Sequence, residues 1–440
     1  MLAPYLNLEE VLQRAPYCAT LWLTTFIPPA LLLIATPKNS LLRWLYFPCS
    51  IAQSHHLFTT LFNATPFPGL RVLCAALSIN AMAIAWIHLV IDQASPEDMV
   101  KAGVFRAEDG LVVKVVKTLG RFCNFRGVGT AWQIKRVAPH SANITKHRGS
   151  DGKIPPAQYL KRQILFLIWE YLLLDLSFAA GKIQPPEELH AMIGDSSEFK
   201  YHNLTPAEIQ GRIVVAFLSW LMNARPVLDV YYRFTSIVAI SLGLSTPEIW
   251  PPLFGSVADM YTLRGFWSTF WHQYLRWPLT SISNFLARRV LRLRTPSIIE
   301  RYFNVFLVFF FSGVLHVAVD YYDPTISSDT FLTTMIFFTS FAFGVMMEDA
   351  VQAIWRSVSG SGPRKEGAPV PLWHKVVGYI WTSAFIMAVA PWFIYTRARL
   401  PIESTAFVPV LVTPYLGMPV VGGLLAIGAP FLWFGFGAEI

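Results

Sequence analysis

His316 stands in an otherwise apolar run, FNVFLVFFFSGVLHVAVDYY. An ionisable group placed there is expensive to bury and is a functional candidate by default. A neutral imidazole in a dry site can take a proton from a hydroxyl as a general base. Asp320 follows at i+4 and so shares a helix face with His316. A carboxylate in that position would hold the ring in one tautomer. Ser312 and Gly313, one turn earlier, let a neighbouring backbone come close. The competing reading is a packed histidine bonded to another helix.

A second group is concentrated in WPPLFGSVADMYTLRGFWSTFWHQYLRWPLTSI. Here Trp250, Trp267, Trp271 and Trp277 are interleaved with Arg264, His272 and Arg276. Such a segment belongs at a membrane–water boundary, where aromatic belts are common. The basic run that follows (Arg288, Arg289, Arg292, Arg294) asks for an anionic partner. Lipid headgroups would satisfy it, and so would a phosphorylated cosubstrate such as coenzyme A.

Other polar residues in apolar stretches read better as ties between helices: Glu170 and Asp175, Glu348 and Asp349, the pair His88 and Asp92, and His55 with His56. The motifs of zinc proteases, serine hydrolases, P-loops and dinucleotide folds are absent. No Cys/His cluster has the spacing of a metal site, so no metal is expected. The positive charge comes with no nucleic-acid-binding motif, and no nucleic-acid partner is expected.

The elements that carry these residues must be membrane helices. Of the 440 residues, 54% are hydrophobic and 14% charged, and the mean hydropathy is +0.44. A soluble fold cannot hide so much apolar surface. Runs of about 20 apolar residues, the length of a span, lie near 18–35, 44–62, 70–91, 162–180, 211–245, 301–319, 330–350, 374–396 and 415–437. The 211–245 stretch contains Pro226 and reads as one tilted helix or as two pieces broken around 223–226. The expected fold class is therefore all-α, a polytopic transmembrane bundle of about eight to ten spans forming one domain over residues 1–440. Segments 93–162 and 251–300 are its largely cytosolic or interfacial parts. Leu111, Val115, Val116 and Leu119 mixed with Lys114, Lys117 and Arg121 suit a surface helix. Residues 357–369 read as a flexible link.

Lys and Arg outnumber acids in 93–162, 259–301 and 353–375, whereas acids predominate in 181–210 and 320–330. The alternation sets the basic connections in the cytosol and the amino terminus in the lumen. His316 then lies toward the lumenal end of its helix, deep in the bundle as seen from the basic face.

Four motifs in order carry a family resemblance. Leu263-Arg264-Gly265-Phe266-Trp267 followed by Trp271-His272-Gln273 resembles the R-x-F-W-x-x-x-W-H/N motif of wax-synthase-like membrane-bound O-acyltransferases. His316 is similar to the catalytic histidine of that superfamily. Arg126-Gly127-Val128-Gly129-Thr130 with Trp132 resembles the R-G-[IV]-G-x-x-W signature of its fungal members, and Glu348-Asp349-Ala350-Val351-Gln352 their E-D-x-x-Q. The resemblance implies His316 and His272 as catalytic residues, with Arg264, Trp267, Trp271 and Arg276 as cosubstrate contacts and Asp320 in support. It implies no permanently bound cofactor, an acyl-CoA (acetyl-CoA) cosubstrate and a hydrophobic alcohol acceptor. It further implies a multi-pass location in the endoplasmic reticulum, and acetyl transfer to terpenoid-type metabolites rather than long-chain wax ester formation. Read from the residues alone, a proton-coupled transporter or a membrane scaffold stays open.

Overall fold

The computed structural model describes residues 8–64, 68–218, 220–323, 325–360, 370–402 and 407–436. Among them the secondary structure is helical, without strands. Among the described residues seven helices are long and apolar enough to cross a membrane: Pro16–Ala35, Arg71–Ile91, Pro156–Ile183, Pro206–Ser241, Ile298–Tyr321, Asp329–Ser359 and Leu372–Val389. The protein is an integral membrane protein of helices, each closing its own backbone hydrogen bonds as lipid requires.

Seven is fewer than the eight to ten expected, and the shortfall has local causes. The run at 44–62 forms the helix Leu41–Ala64, but Gln53, Ser54, His55 and His56 dilute its apolar character. The run at 415–437 yields only the shorter apolar helix Met418–Leu432 among described residues. The span expected to reach residue 396 stops at Val389, because Pro391 opens a separate helix, Pro391–Ala398. A proline lacks the N–H that would continue the ladder.

The 211–245 stretch is one helical run, not two broken pieces. It widens into π-helical turns at Arg212–Leu218 and Trp220–Ala224 and returns to an α-helix at Arg225–Ser241, with Pro226 in its first turn. Pro226 has no N–H to donate into the turn before it, and the widened π-turn Trp220–Ala224 lies directly ahead of it. The surface helix expected after residue 110 is Leu111–Cys123. It leaves Leu111, Val112, Val113 and Val116 exposed. Of the link at 357–369, residues 361–369 lie outside the described residues.

Two helix pairs dominate the packing. Ile298–Tyr321, which carries His316, lies along Asp329–Ser359, and Pro156–Ile183 lies along Arg225–Ser241. In the first pair Gly313 is the close-approach point foreseen from its size: a Cβ there would sit 2.9 Å from Met335 Sδ. In the second, the buried Arg233 donates to Glu170 (3.0 Å), Asp229 (2.5 Å) and Gln163 (2.5 Å). Asp175 accepts from the backbone N–H groups of Val412 and Thr413 (2.9 and 2.8 Å) and ties the carboxyl-terminal part to the bundle. His55 reaches Tyr322 at 3.0 Å. These groups are inter-helix ties, as their chemistry suggested. Breaking a buried ion cluster strands its remaining charges. Arg233→Met is expected to lower stability by about 3–5 kcal/mol, read as a lower midpoint in thermal aggregation of the detergent-solubilised protein.

Candidate active site

The segment carrying His272 enters the bundle through a short irregular element. Thr262 caps it, its Oγ1 accepting from the Gly265 N–H at 2.8 Å. Leu263–Gly265 forms a single α-turn, and Phe266–Phe270 continues as a π-turn. That turn closes with the Trp271 N–H donating to the Phe266 carbonyl at 2.7 Å. Trp271 is then extended (ψ 151°), so the helix ends one residue before His272. Gly265 is obligatory, because a Cβ there would lie 2.2 Å from the Asp259 carbonyl.

Two of the other recognised motifs brace this strip. Glu348, buried in Asp329–Ser359, accepts from the Leu263 N–H (2.7 Å) and from Trp381 Nε1 (3.3 Å). Its neighbour Asp349 accepts from Arg264 and Arg301, both at 2.7 Å. On the opposite side Gln273 donates to the carbonyls of Arg136 and Ser268, each at 3.0 Å. Arg276 donates to the carbonyls of Lys135 (2.8 Å) and Ser268 (2.9 Å). The loop holding those acceptors begins at Arg126, itself buried. Its guanidinium donates to the Tyr232 hydroxyl and the Pro251 carbonyl, both at 2.6 Å. Gly127 has φ +63° and would bring a Cβ to 2.5 Å from the Trp132 carbonyl. The arginine of that motif is thus a structural clamp.

Packing completes the strip. Phe266, Phe270 and Trp271 are buried in the central core with Phe309, Phe337, Phe338 and Phe341. Trp267 meets Phe341 edge-on at 4.8 Å between centroids. Each buried ring contributes about 1.5–3 kcal/mol, so the strip is held by apolar contact as well as by its braces.

His316 sits across from this strip. Phe338 stacks on it at 4.2 Å and Phe393 meets it edge-on at 5.9 Å. Its Nδ1 lies 2.7 Å from the Ser312 carbonyl. A carbonyl only accepts, so Nδ1 carries the hydrogen and Nε2 keeps its lone pair. The tautomer is set by the helix's own backbone and not by Asp320. That expectation is corrected: Asp320 pairs with Arg397, which also donates to the Phe393 carbonyl (2.7 Å) and the Thr334 hydroxyl (3.1 Å). A guanidinium is a stronger partner for a buried carboxylate than a neutral ring.

His272 and His316 line one cavity of about 1110 Å³, together with Arg264, Trp267, Trp271, Arg276 and Asp320. All seven site residues inferred from the sequence therefore line the same cavity. Their states differ. The side chains of Arg264 and Arg276 are already engaged, by Asp349 and by two carbonyls, and Trp271 is embedded in the aromatic core. Along the His316 helix the cavity is lined from Asn304 to Asp320, about 24 Å at ~1.5 Å per residue. Asn80, Asn304 and Arg397, which also line it, escaped the sequence reading. An asparagine within the apolar Pro68–Trp86 helix was the signal available for Asn80.

Residues 250–340 match the model of the membrane bound O-acyl transferase family. Beyond that segment, the chain is 35% identical over 416 residues to acetyltransferase TRI7 of Fusarium sporotrichioides, covering 93% of each protein. It is 36% identical to acetyltransferase pyr8 of Aspergillus fumigatus, covering 96% of each. With acetyltransferase atnC of an Arthrinium species it shares 35% identity over 96% of this chain and 97% of that protein. The chain belongs to the membrane-bound O-acyltransferase family.

As a membrane-bound O-acyltransferase it is an enzyme, which closes the transporter and scaffold alternatives. No solved structure matches it significantly. Within this acyltransferase Glu348 grips the backbone that leads to His272. Replacing it with alanine leaves the buried Leu263 N–H and the half-buried Trp381 N–H without their acceptor. Glu348→Ala is expected to reduce acyl transfer by about a hundredfold, the scale of a ~1 Å misplacement. Glu348→Gln, which keeps an acceptor oxygen, should restore most of it. Initial rates in membranes normalised to protein level compare the two.

Proposed function

We propose that this acyltransferase moves an acetyl group from acetyl-CoA to a hydroxyl of a hydrophobic terpenoid- or meroterpenoid-type metabolite at the endoplasmic reticulum membrane. The observation that carries the reading is the single cavity shared by His316 and His272. The restriction to acetyl draws on the printed names of the relatives, which are fungal acetyltransferases.

The proposed chemistry follows from the tautomer. With Nδ1–H engaged by the Ser312 carbonyl, His316 Nε2 is the base for the acceptor's O–H. As that proton transfers, the oxygen attacks the thioester carbonyl carbon and the C–S bond breaks. The thiolate leaves and takes the proton back from His316, so an ester and a thiol are released. His272 supports the developing oxyanion or orients the thioester. The rings of Phe338 and Phe393 keep water from His316, which favours the alcohol over hydrolysis.

The length of the cavity supports a route by which a cosubstrate from the basic face would reach a histidine set deep in the bundle. Its wall begins at Asn304, near Arg264, and runs to His316. Arg288 and Arg301, half-exposed at the same end of the helix, each spend one N–H on an ion pair, with Glu300 and Asp349 respectively, and their remaining N–H groups are suited to the phosphates of CoA. Arg276 serves as a brace. The apolar wall contributed by Val72, Leu73, Leu77 and Phe178 suits a hydrophobic acceptor.

The test uses microsomes containing the full chain, radiolabelled acyl-CoA and a fused-ring alcohol. Label is expected in the alcohol, with acetyl-CoA preferred at least tenfold over palmitoyl-CoA. A preference for palmitoyl-CoA would establish the wax-ester reading instead. His316→Ala is expected to reduce transfer by about 10²–10⁴-fold, the usual weight of a general base, while gel filtration in detergent stays monodisperse. Full turnover by that variant would refute the assignment of the base.

A further inference from the structure

The helix Pro68–Trp86 presents Gly69, Val72, Leu73, Ala76, Leu77 and Asn80 to the cavity. The spacing is that of one helix face. Five of these residues are apolar or small, and the sixth is an amide. Asn80 is 2% exposed. Its Nδ2 donates to the Tyr274 carbonyl at 3.1 Å, which fixes the two ends of the amide, since a carbonyl cannot donate. Tyr274 lies two residues beyond His272, so the amide is anchored to the segment that carries the candidate catalytic histidine. The other end, Oδ1, is buried and has no hydrogen-bond partner among the described residues. Buried acceptors are almost always satisfied, so this one, covered but belonging to a residue that lines the cavity, is placed to take a donor from whatever occupies the cavity beside it.

The cavity holds a second amide of this kind, and the contrast assigns the two. Asn304 Nδ2 donates to Glu300 Oε1 at 2.7 Å, and Glu300 is held by Arg288 at 2.7 Å. Asn304 Oδ1 is also buried without a partner. It belongs to the start of the His316 helix, beside the Arg288–Glu300 pair, the polar approach. Asn80 closes an apolar stripe instead, where an aliphatic skeleton would lie.

We propose that Asn80 is a specificity-determining residue for the acceptor: its Oδ1 accepts a hydrogen bond from a second hydroxyl on the hydrophobic alcohol. The acceptor is then a hydrophobic diol or polyol, with one hydroxyl at His316 and another read by Asn80. The inference rests on the acyl-transfer reading above. A site built to hydrogen-bond a hydroxyl discriminates strongly against the analogue without it, because its own polar group is left unpaired.

The experiment compares decalin mono-ols with decalin diols as acceptors, using radiolabelled acetyl-CoA and membranes containing the full chain. For the wild type, kcat/KM is expected to favour the best diol over the mono-ol by about 10–100-fold. In Asn80→Leu and Asn80→Ala that ratio should collapse to within about threefold, through a rise in KM for the diol. The smaller alanine variant covers the case in which leucine is not tolerated, and fluorescence-detected gel filtration reports folding of both. If both alcohols slow equally and the ratio survives, Asn80 only anchors Tyr274 and the proposal fails. It fails also if the wild type has no preference for any diol. Absence of label from every alcohol with the wild type would overturn the acyl-transfer reading itself.

Discussion

Glu348 sits on a buried helix face and accepts from a single backbone amide, that of Leu263, and from the indole of Trp381. A carboxylate in such a place is costly unless its oxygens are used. Here one of them, Oε2, takes both donors and holds the first residue of an irregular strip to a long, regular helix. From that point the strip runs through one α-turn, one π-turn and an extended residue before reaching His272. Without the clamp those turns would have no fixed origin, since helices of so few residues do not persist alone. Asp349 repeats the device one residue on, with Arg264 and Arg301 as its partners.

The π-turn is the complement of that clamp. It closes from Trp271 back to Phe266, and the next residue is extended, which turns the chain out of the helix at His272. On the facing helix the geometry is ordinary. His316 is held by the Ser312 carbonyl one turn back, a contact supplied by the backbone of its own helix. One histidine thus relies on distant braces and the other on local ones.

That difference explains what could be read from the sequence. His316, the aromatic strip and the acidic pair are each contiguous or periodic, and their residue types announce them. The helical class follows from apolar runs whose length the bilayer dictates. What escaped is contact between distant parts of the chain. Asp320 was read along its own helix and assigned to His316 at i+4, but its partner Arg397 arrives from 77 residues away. Likewise Arg126 looked like a signature and proved to be a clamp on Pro251 and Tyr232. Span limits missed for a related reason: the helix Leu41–Ala64 forms as expected, but its polar residues keep it below the hydropathy of a span.

The Val72–Leu77 wall of the cavity is made of the same chemistry as lipid tails. A hydrophobic acceptor suited to that wall dissolves in the bilayer, so its effective concentration is a mole fraction of lipid and not a molarity of buffer. Dilution with inert phospholipid then lowers occupancy at constant total alcohol, whereas dilution with water hardly does. For the water-soluble cosubstrate the dependence is reversed. An apparent KM for the alcohol is accordingly a property of the membrane and the protein together, and values from two preparations become comparable only after scaling by lipid content.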